Sequence, residues 1–257
     1  MTEAYSLFSG SSGNSYYIKN NGISVLIDAG KNMRSIKNAV QTCGGELSDV
    51  SAIFITHSHS DHISALPVMQ KHYTFDIYAT LGSAEELYRC NIDPSRVHII
   101  SPNEEISVGE IKIIAYSTPH DAKGSVCYRI CCGDCEIAVA TDIGYVSDNV
   151  FKCLFGCNAA VIESNHDVKM LKNGPYPQFL KERILSDKGH LSNERCAALL
   201  PRLADSGTKS FLLAHLSKEN NEPSLALGLA RSALLGKDSC TVKVASPETA
   251  VKIINTK

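Results

Sequence analysis

The sequence predicts an α/β fold: two mixed β-sheets packed face to face with helices outside, an αββα sandwich. Three observations point there. The chain has 257 residues, 44% of them hydrophobic, enough for a sizeable buried core. Short apolar runs bounded by Gly, Asn and Asp turns recur through the first half and again through the second. In each half the strands come first and the helical patterns later. No low-complexity linker or short-period repeat divides the chain, so residues 1–257 are read as a single domain.

In chain order, Ala4–Phe8, Ser15–Lys19 and Ile23–Asp28 read as strands, with Asn20-Asn21-Gly22 as the hairpin turn between the last two. Met33–Cys43 has helical spacing through Met33, Ile36, Ala39 and Val40. Ser51–Thr56 is a short buried strand, and Asp61–His72 follows as a helix despite Pro67. Asp76–Thr80, Val97–Ile100 and Glu110–Ser117 are strands. Val126–Cys132 and Cys135–Ala140 form a hairpin around Gly133-Asp134, and Ala159–Glu163 is a further strand. Tyr176–Asp187, Asn193–Asp205 and Pro223–Leu235 carry helical patterns, and Ser210–Ala214 and Cys240–Val244 are strands.

Lys and Arg number 25 and Asp and Glu 27, a formal charge of -2, which disfavours nucleic-acid binding by bulk charge. No run approaches the ~20 apolar residues of a membrane span, and the start lacks a signal-peptide pattern. A cytoplasmic protein with no membrane contact is therefore expected. The ten Cys are scattered through apolar stretches and read as reduced, buried thiols. Cys132 and Cys135 form a CxxC, but they flank a hairpin turn and no second pair completes a four-thiolate site.

The chemistry concentrates in Thr56-His57-Ser58-His59-Ser60-Asp61-His62. An apolar strand ends, and three His and one Asp follow within six residues. Imidazole and carboxylate are ligands of borderline divalent ions. His57 and His59, two apart in extended chain, can face the same way. Asp61 and His62 open the next helix and can turn toward a second ion.

This HxHxDH segment resembles the signature of the metallo-β-lactamase-fold hydrolases, whose αββα sandwich holds one or two metal ions between its sheets. The resemblance implies three more ligands at strand ends: His120 in Thr118-Pro119-His120, Asp142 in Thr141-Asp142-Ile143-Gly144, and His215 in Leu213-Ala214-His215. Carried over by position, His57, His59 and His120 take one ion. Asp61, His62 and His215 take the other, and Asp142 bridges. The implied cofactors are two divalent ions, Zn²⁺ or Mn²⁺ or Fe. They would acidify a bridging water into a hydroxide nucleophile and polarise the scissile group. Asp28, in Ile27-Asp28-Ala29-Gly30, resembles the early Asp of the superfamily that supports the site without ligating.

Phe8–Ser15, Glu163-Ser164-Asn165-His166-Asp167, Gly189-His190-Leu191-Ser192 and His215–Asn221 resemble the bacterial YycJ/WalJ (VicX) subgroup. That resemblance implies a dinuclear phosphodiesterase acting as a DNA 5′-exonuclease. The alternatives are a hydrolase of a small ester, thioester or lactone, and an inactive metal- or nucleic-acid-binding module. Asp61 and His190 are the residues expected to act in catalysis. His190 lies just before a predicted helix N-terminus, with Ser192 or Asn193 as cap, and can assist a departing oxygen. His166 and Glu163 follow a strand end as substrate contacts or as support behind the ligands. The Gly- and Ser-rich loop with Ser11 and Asn14 can turn backbone N–H groups to a phosphate or simply form a tight turn beside the site.

Overall fold

The computed structural model describes residues 1–256. The first half runs β1 (Thr2–Phe8), β2 (Ser15–Asn20), β3 (Ile23–Ile27), α1 (Met33–Thr42), β4 (Val50–Phe54), α2 (Ser60–Ile63), α3 (Leu66–Met69), β5 (Asp76–Thr80), α4 (Leu81–Arg89) and β6 (Val97–Ile100). The second sheet begins with β7 (Glu105–Val108), β8 (Ile111–Ser117), β9 (Val126–Cys132), β10 (Cys135–Ala140), α5 (Asp148–Leu154) and β11 (Ala159–Glu163). There follow α6 (Val168–Asn173), α7 (Gln178–Leu185), α8 (Asn193–Asp205), β12 (Ser210–Ala214), α9 (Pro223–Ala233), β13 (Thr241–Val244) and β14 (Val251–Asn255).

Two seven-stranded sheets result, in the orders β14-β1-β2-β3-β4-β5-β6 and β13-β12-β11-β10-β9-β8-β7. Each opens with antiparallel hairpins and continues with parallel strands: β3 to β6 in the first, β10 to β13 in the second. Parallel strands need covered faces on both sides, which explains their near-continuous apolar sequences. Alternation then sorts the residues. Val25, Ile27, Ala52 and Phe54 face a core shared with Ile113, Tyr128, Ile137, Val139 and Val161 of the second sheet. Leu26, Ile53 and Ile55 face outward onto Ile36, Val40, Leu66 and Met69. Ala138, Ala160, Ile162 and Leu213 do the same against Val150, Leu199, Leu200 and Leu203. The expected αββα sandwich is the observed fold.

Several boundaries move. The helix expected over Asp61–His72 is two short pieces, because Pro67 sits at the start of the second, where its fixed φ and missing N–H are tolerated. Tyr176–Asp187 shortens to Gln178–Leu185. The strand expected through Asp28 stops at Ile27, since Asp28 has φ 62. Helices α4, α5 and α6 and strands β7 and β14 were not expected from the sequence pattern. Thr80, Ser147 and Asp167 side chains cap the N-termini of those three helices. Among the described residues no helix is long and apolar enough to cross a membrane, and all ten cysteines are unpaired.

Candidate metal centre

The C-terminal ends of parallel strands from both sheets meet at one edge of the sandwich, the place where α/β sheets present ligand-binding groups. Asp28 follows β3, His57 follows β4, Asp142 follows β10, Glu163 ends β11 and His215 follows β12. The chain turns sharply there. Asp28, Asp142 and His215 adopt left-handed backbone, with φ of 62, 57 and 56. Each such non-glycine residue costs on the order of 1–3 kcal/mol, retained because the surroundings over-determine it. Gly30 makes the close approach possible: a Cβ there would stand 1.6 Å from the Asp61 carbonyl oxygen.

Donor atoms of His57, His59 and His120 lie within 4.8 Å of one another, and those of Asp61, His62 and His215 form a second such group. Asp142 stands between them. Its carboxylate is 3.3 Å from His62 Nε2, 3.4 Å from His215 Nδ1 and 3.9 Å from His120 Nε2. The structure thus brings all seven residues of the expected ligand set together: two groups of three, linked by a third made of His57, His62 and Asp142.

The imidazoles are oriented from behind. His62 Nδ1 bonds Asp28 Oδ2 at 2.8 Å, and His215 Nδ1 bonds Glu163 Oε1 at 2.9 Å. His120 Nδ1 faces the Gly189 carbonyl at 3.3 Å and His57 Nδ1 the Thr56 hydroxyl at 3.1 Å. A partner at Nδ1 fixes the tautomer that leaves Nε2 free to ligate. His59 differs: its Nδ1 faces His57 Nε2 at 3.1 Å, and its Nε2 lies 3.6 Å from Asp121. Asp28 accepts two further bonds from Thr56, at 2.8 Å each. Asn14 Nδ2 reaches Asp61 Oδ2 at 3.2 Å and His62 Nε2 at 3.1 Å, placing the glycine-rich loop directly under the second group.

The fit to divalent ions shows in atoms that lack protein partners. His120 Nε2, His215 Nε2 and Asp142 Oδ2 are buried and have no hydrogen-bond partner among the described residues. An unsatisfied buried polar atom costs about 1–3 kcal/mol, and three together in a His/Asp set suit a cation. The electrostatics agree. Burial alone would neutralise Asp142, yet His215 and His62 hold its carboxyl well below the usual range. Burial opposes charging His215 too, but Asp142, Asp61 and Glu163 push it up to about 10.

Glu163 is fully engaged. Oε1 accepts from His190 Nδ1 at 2.8 Å and from His215 Nδ1; Oε2 accepts from the backbone of Ile143 at 2.8 Å and Leu191 at 3.0 Å. One carboxylate therefore ties together the segments bearing Asp142, His190 and His215. Burial favours its neutral form, but His190 and His215 bring it down to about 2. His190 is 20% exposed and 3.7 Å from Asp142, and Ser192 caps the helix that follows. Burial opposes its charged form, and Glu163 outweighs burial, so its pKa rises.

His166 and Ser11 stand apart from the ion-facing groups. His166 is buried with Nδ1 3.4 Å from Asn165, and burial brings it down to about 4. Ser11 is exposed on the wall of a cavity of about 180 Å3 shared with Asp121, Tyr176, Arg183, His190 and His215.

Two features escape the sequence pattern. Asp121 Oδ1 lies 3.3 Å from His120 Nε2, while Oδ2 accepts from Arg183 Nε of α7 at 2.6 Å. Asp121 adjoins His120, so its position in the motif was the available signal. The second is a buried amide network. Ser164 Oγ donates to Asn193 Oδ1 at 2.6 Å, Asn193 Nδ2 donates to Asn221 at 2.8 Å, and Asn221 donates to the carbonyls of Ser164 and Asn165. It fixes the loops after β11 and β12 behind Glu163 and His215.

Residues 24–216 match the family model described as beta-lactamase superfamily domain. The chain is 39% identical over 224 residues to exodeoxyribonuclease WalJ of Streptococcus pneumoniae, covering 86% of this chain and 83% of that one. It is 38% identical over 223 residues to exodeoxyribonuclease YycJ of Bacillus anthracis, covering 86% and 84%. In fold it is similar to the metallo-beta-lactamase fold protein YhfI of Bacillus subtilis, with TM-score 0.72, 16% identity and coverage of 98% and 99%.

Proposed function

This chain belongs to the metallo-β-lactamase superfamily and is a metal-dependent hydrolase; from that premise we propose that it is a dinuclear phosphodiesterase that removes nucleotides from the 5′ end of DNA. In this reading residues 1–257 work as one domain in the cytoplasm. His57, His59 and His120 would hold one divalent ion, Asp61, His62 and His215 a second, with Asp142 shared. Ions bound there would acidify a water and neutralise charge growing on phosphoryl oxygens.

The chain's own residues supply the rest. His190 carries the argument for a phosphodiester. Its Nδ1 is committed to Glu163 at 2.8 Å, its raised pKa favours a proton on Nε2 as well, and it lines the cavity beside His215. A sugar oxygen leaving phosphorus as an alkoxide needs that proton far more than a departing thiolate does. Asp61 stays ionised despite burial because the imidazoles of His215 and His62 stand 3.6 and 3.5 Å from its carboxylate, and it would orient the attacking water. DNA as substrate is supported by the two relatives named exodeoxyribonuclease.

The test uses protein loaded in parallel with Mn²⁺ and Zn²⁺ and offered labelled DNA, RNA, bis-p-nitrophenyl phosphate, a thioester and a lactone. His190→Ala is expected to lower phosphodiester turnover by about 10²–10⁴ with metal content retained. Unchanged turnover, or hydrolysis confined to the thioester or lactone, would reject the assignment.

A further inference from the structure

His190, but not His215, also lines a second cavity, of about 220 Å3. His166, Lys172, His190, Ser192 and Arg195 line it, and among the described residues no carboxylate does. We propose that this cavity is an anion subsite that binds the terminal 5′-phosphate of a nucleic-acid end, one nucleotide from the bond that is cut. The inference rests on the phosphodiesterase reading above and adds to it a determinant of end recognition.

Three observations converge. Lys172 and Arg195 bring two cations to the cavity. Lys172 Nζ forms no ion pair among the described residues; Arg195 gives one N–H to the Gly144 carbonyl at 3.2 Å and keeps its remaining donors. Ser192 is the N-cap of the thirteen-residue helix α8, so the positive end of that helix opens here. Independently, His166 is 1% exposed and its Nε2 has no hydrogen-bond partner among the described residues. An anion in the cavity would satisfy that nitrogen and supply the counter-charge for a proton on it. The exposed Glu194 carboxylate, also in the first turn of α8, does not line the cavity.

The position accounts for the choice of anion. His190 lines both cavities, and it serves the departing oxygen in the proposed reaction. A terminal nucleotide carries its phosphates on opposite sides of one sugar. With its 3′ oxygen beside His190, its own 5′-phosphate falls on the far side. A phosphate monoester, with more charge than an internal diester, suits two cations, a helix N-terminus and an imidazole.

Binding can be read without turnover. Fluorescence anisotropy of the full chain, stripped of metal, compares one DNA duplex ending in 5′-phosphate with the same duplex ending in 5′-hydroxyl. The phosphorylated end is expected to bind about tenfold more tightly. Lys172→Ala and, separately, His166→Gln should each shrink that preference to about threefold or less, and inorganic phosphate should compete against the phosphorylated duplex only. Equal affinity for the two ends, a preference untouched by both substitutions, or an equal loss at both ends would overturn the subsite. The preference without any DNA cleavage by the loaded enzyme would leave the subsite standing and remove the nuclease reading. Cleavage without the preference would do the reverse.

Discussion

Glu163→Gln changes almost no volume and removes one buried charge at the junction of three segments. The carboxylate accepts four hydrogen bonds, from His190, His215, Ile143 and Leu191. A carboxamide offers one acceptor oxygen, and its NH₂ must face donors on the other side. If the oxygen stays with the histidines, the N–H groups of Ile143 and Leu191 lose their acceptor. At about 1–3 kcal/mol for each orphaned group, folding stability falls by about 2–6 kcal/mol. If the amide flips, His190 and His215 meet a donor and shift to the tautomer with the proton on Nε2. His215 then ligates poorly and His190 no longer stays charged. Removing such a support typically costs about 10–100-fold in metal affinity, and losing the acid costs about 10²–10⁴ in rate. The assay pairs urea unfolding with metal content per chain and kcat on bis-p-nitrophenyl phosphate. A variant as stable as the parent, with kcat and metal content unchanged, would refute the role given to this carboxylate.

Other consequences are checkable. In the metal-free chain Glu163 sits at about 2, against an ordinary value of 4.5. A depressed carboxyl stabilises the fold above its unfolded pKa and loses that contribution as pH falls toward the folded one. Urea midpoints should therefore drop on acidification below about pH 4.5, less steeply in Glu163→Gln; parallel curves would contradict this. Gly30→Ala would drive a Cβ into the Asp61 carbonyl at 1.6 Å, so a loss of at least about 3 kcal/mol is expected by thermal melting, and a neutral result would show that the two loops can part. Burial pushes the Cys132 thiol up to about 12 and raises Cys135. Neither should be alkylated at neutral pH before unfolding, as peptide mapping after brief iodoacetamide treatment would show.

What the sequence made legible follows from distance along the chain. His57, His59, Asp61 and His62 stand in one short run, and a strand-to-helix transition is enough to see them converge. His120, Asp142 and His215 carry no local mark of their own, and only their order after successive strands, seen through family resemblance, singled them out. The sandwich was legible because strand periodicity and parallel-strand hydrophobicity are local. β14 was not: it pairs with β1 across the whole length of the chain, as Glu3 with Asn255. The positive-φ turns at Asp28, Asp142 and His215 are imposed by tertiary packing. The tie from Arg183 to Asp121 and the approach of Gly189 to His120 join residues 62 and 69 apart, and no spacing rule foresees them. The helix expected over Asp61–His72 failed because apolar periodicity outweighed a proline that starts a new turn.

The central claim is that the Glu163-held His190 and the two His/Asp groups cut phosphodiesters from a 5′ end. The most direct measurement follows a 5′-labelled, 5′-phosphorylated DNA duplex incubated with Mn²⁺- or Zn²⁺-loaded protein, with the first labelled product resolved by size. The account predicts labelled mononucleotide from the outset, and none from Asp142→Ala, whose two groups lose the residue they share. Label that persists in long, progressively shortened fragments, or intact duplex under conditions where a lactone or thioester is hydrolysed, would contradict it.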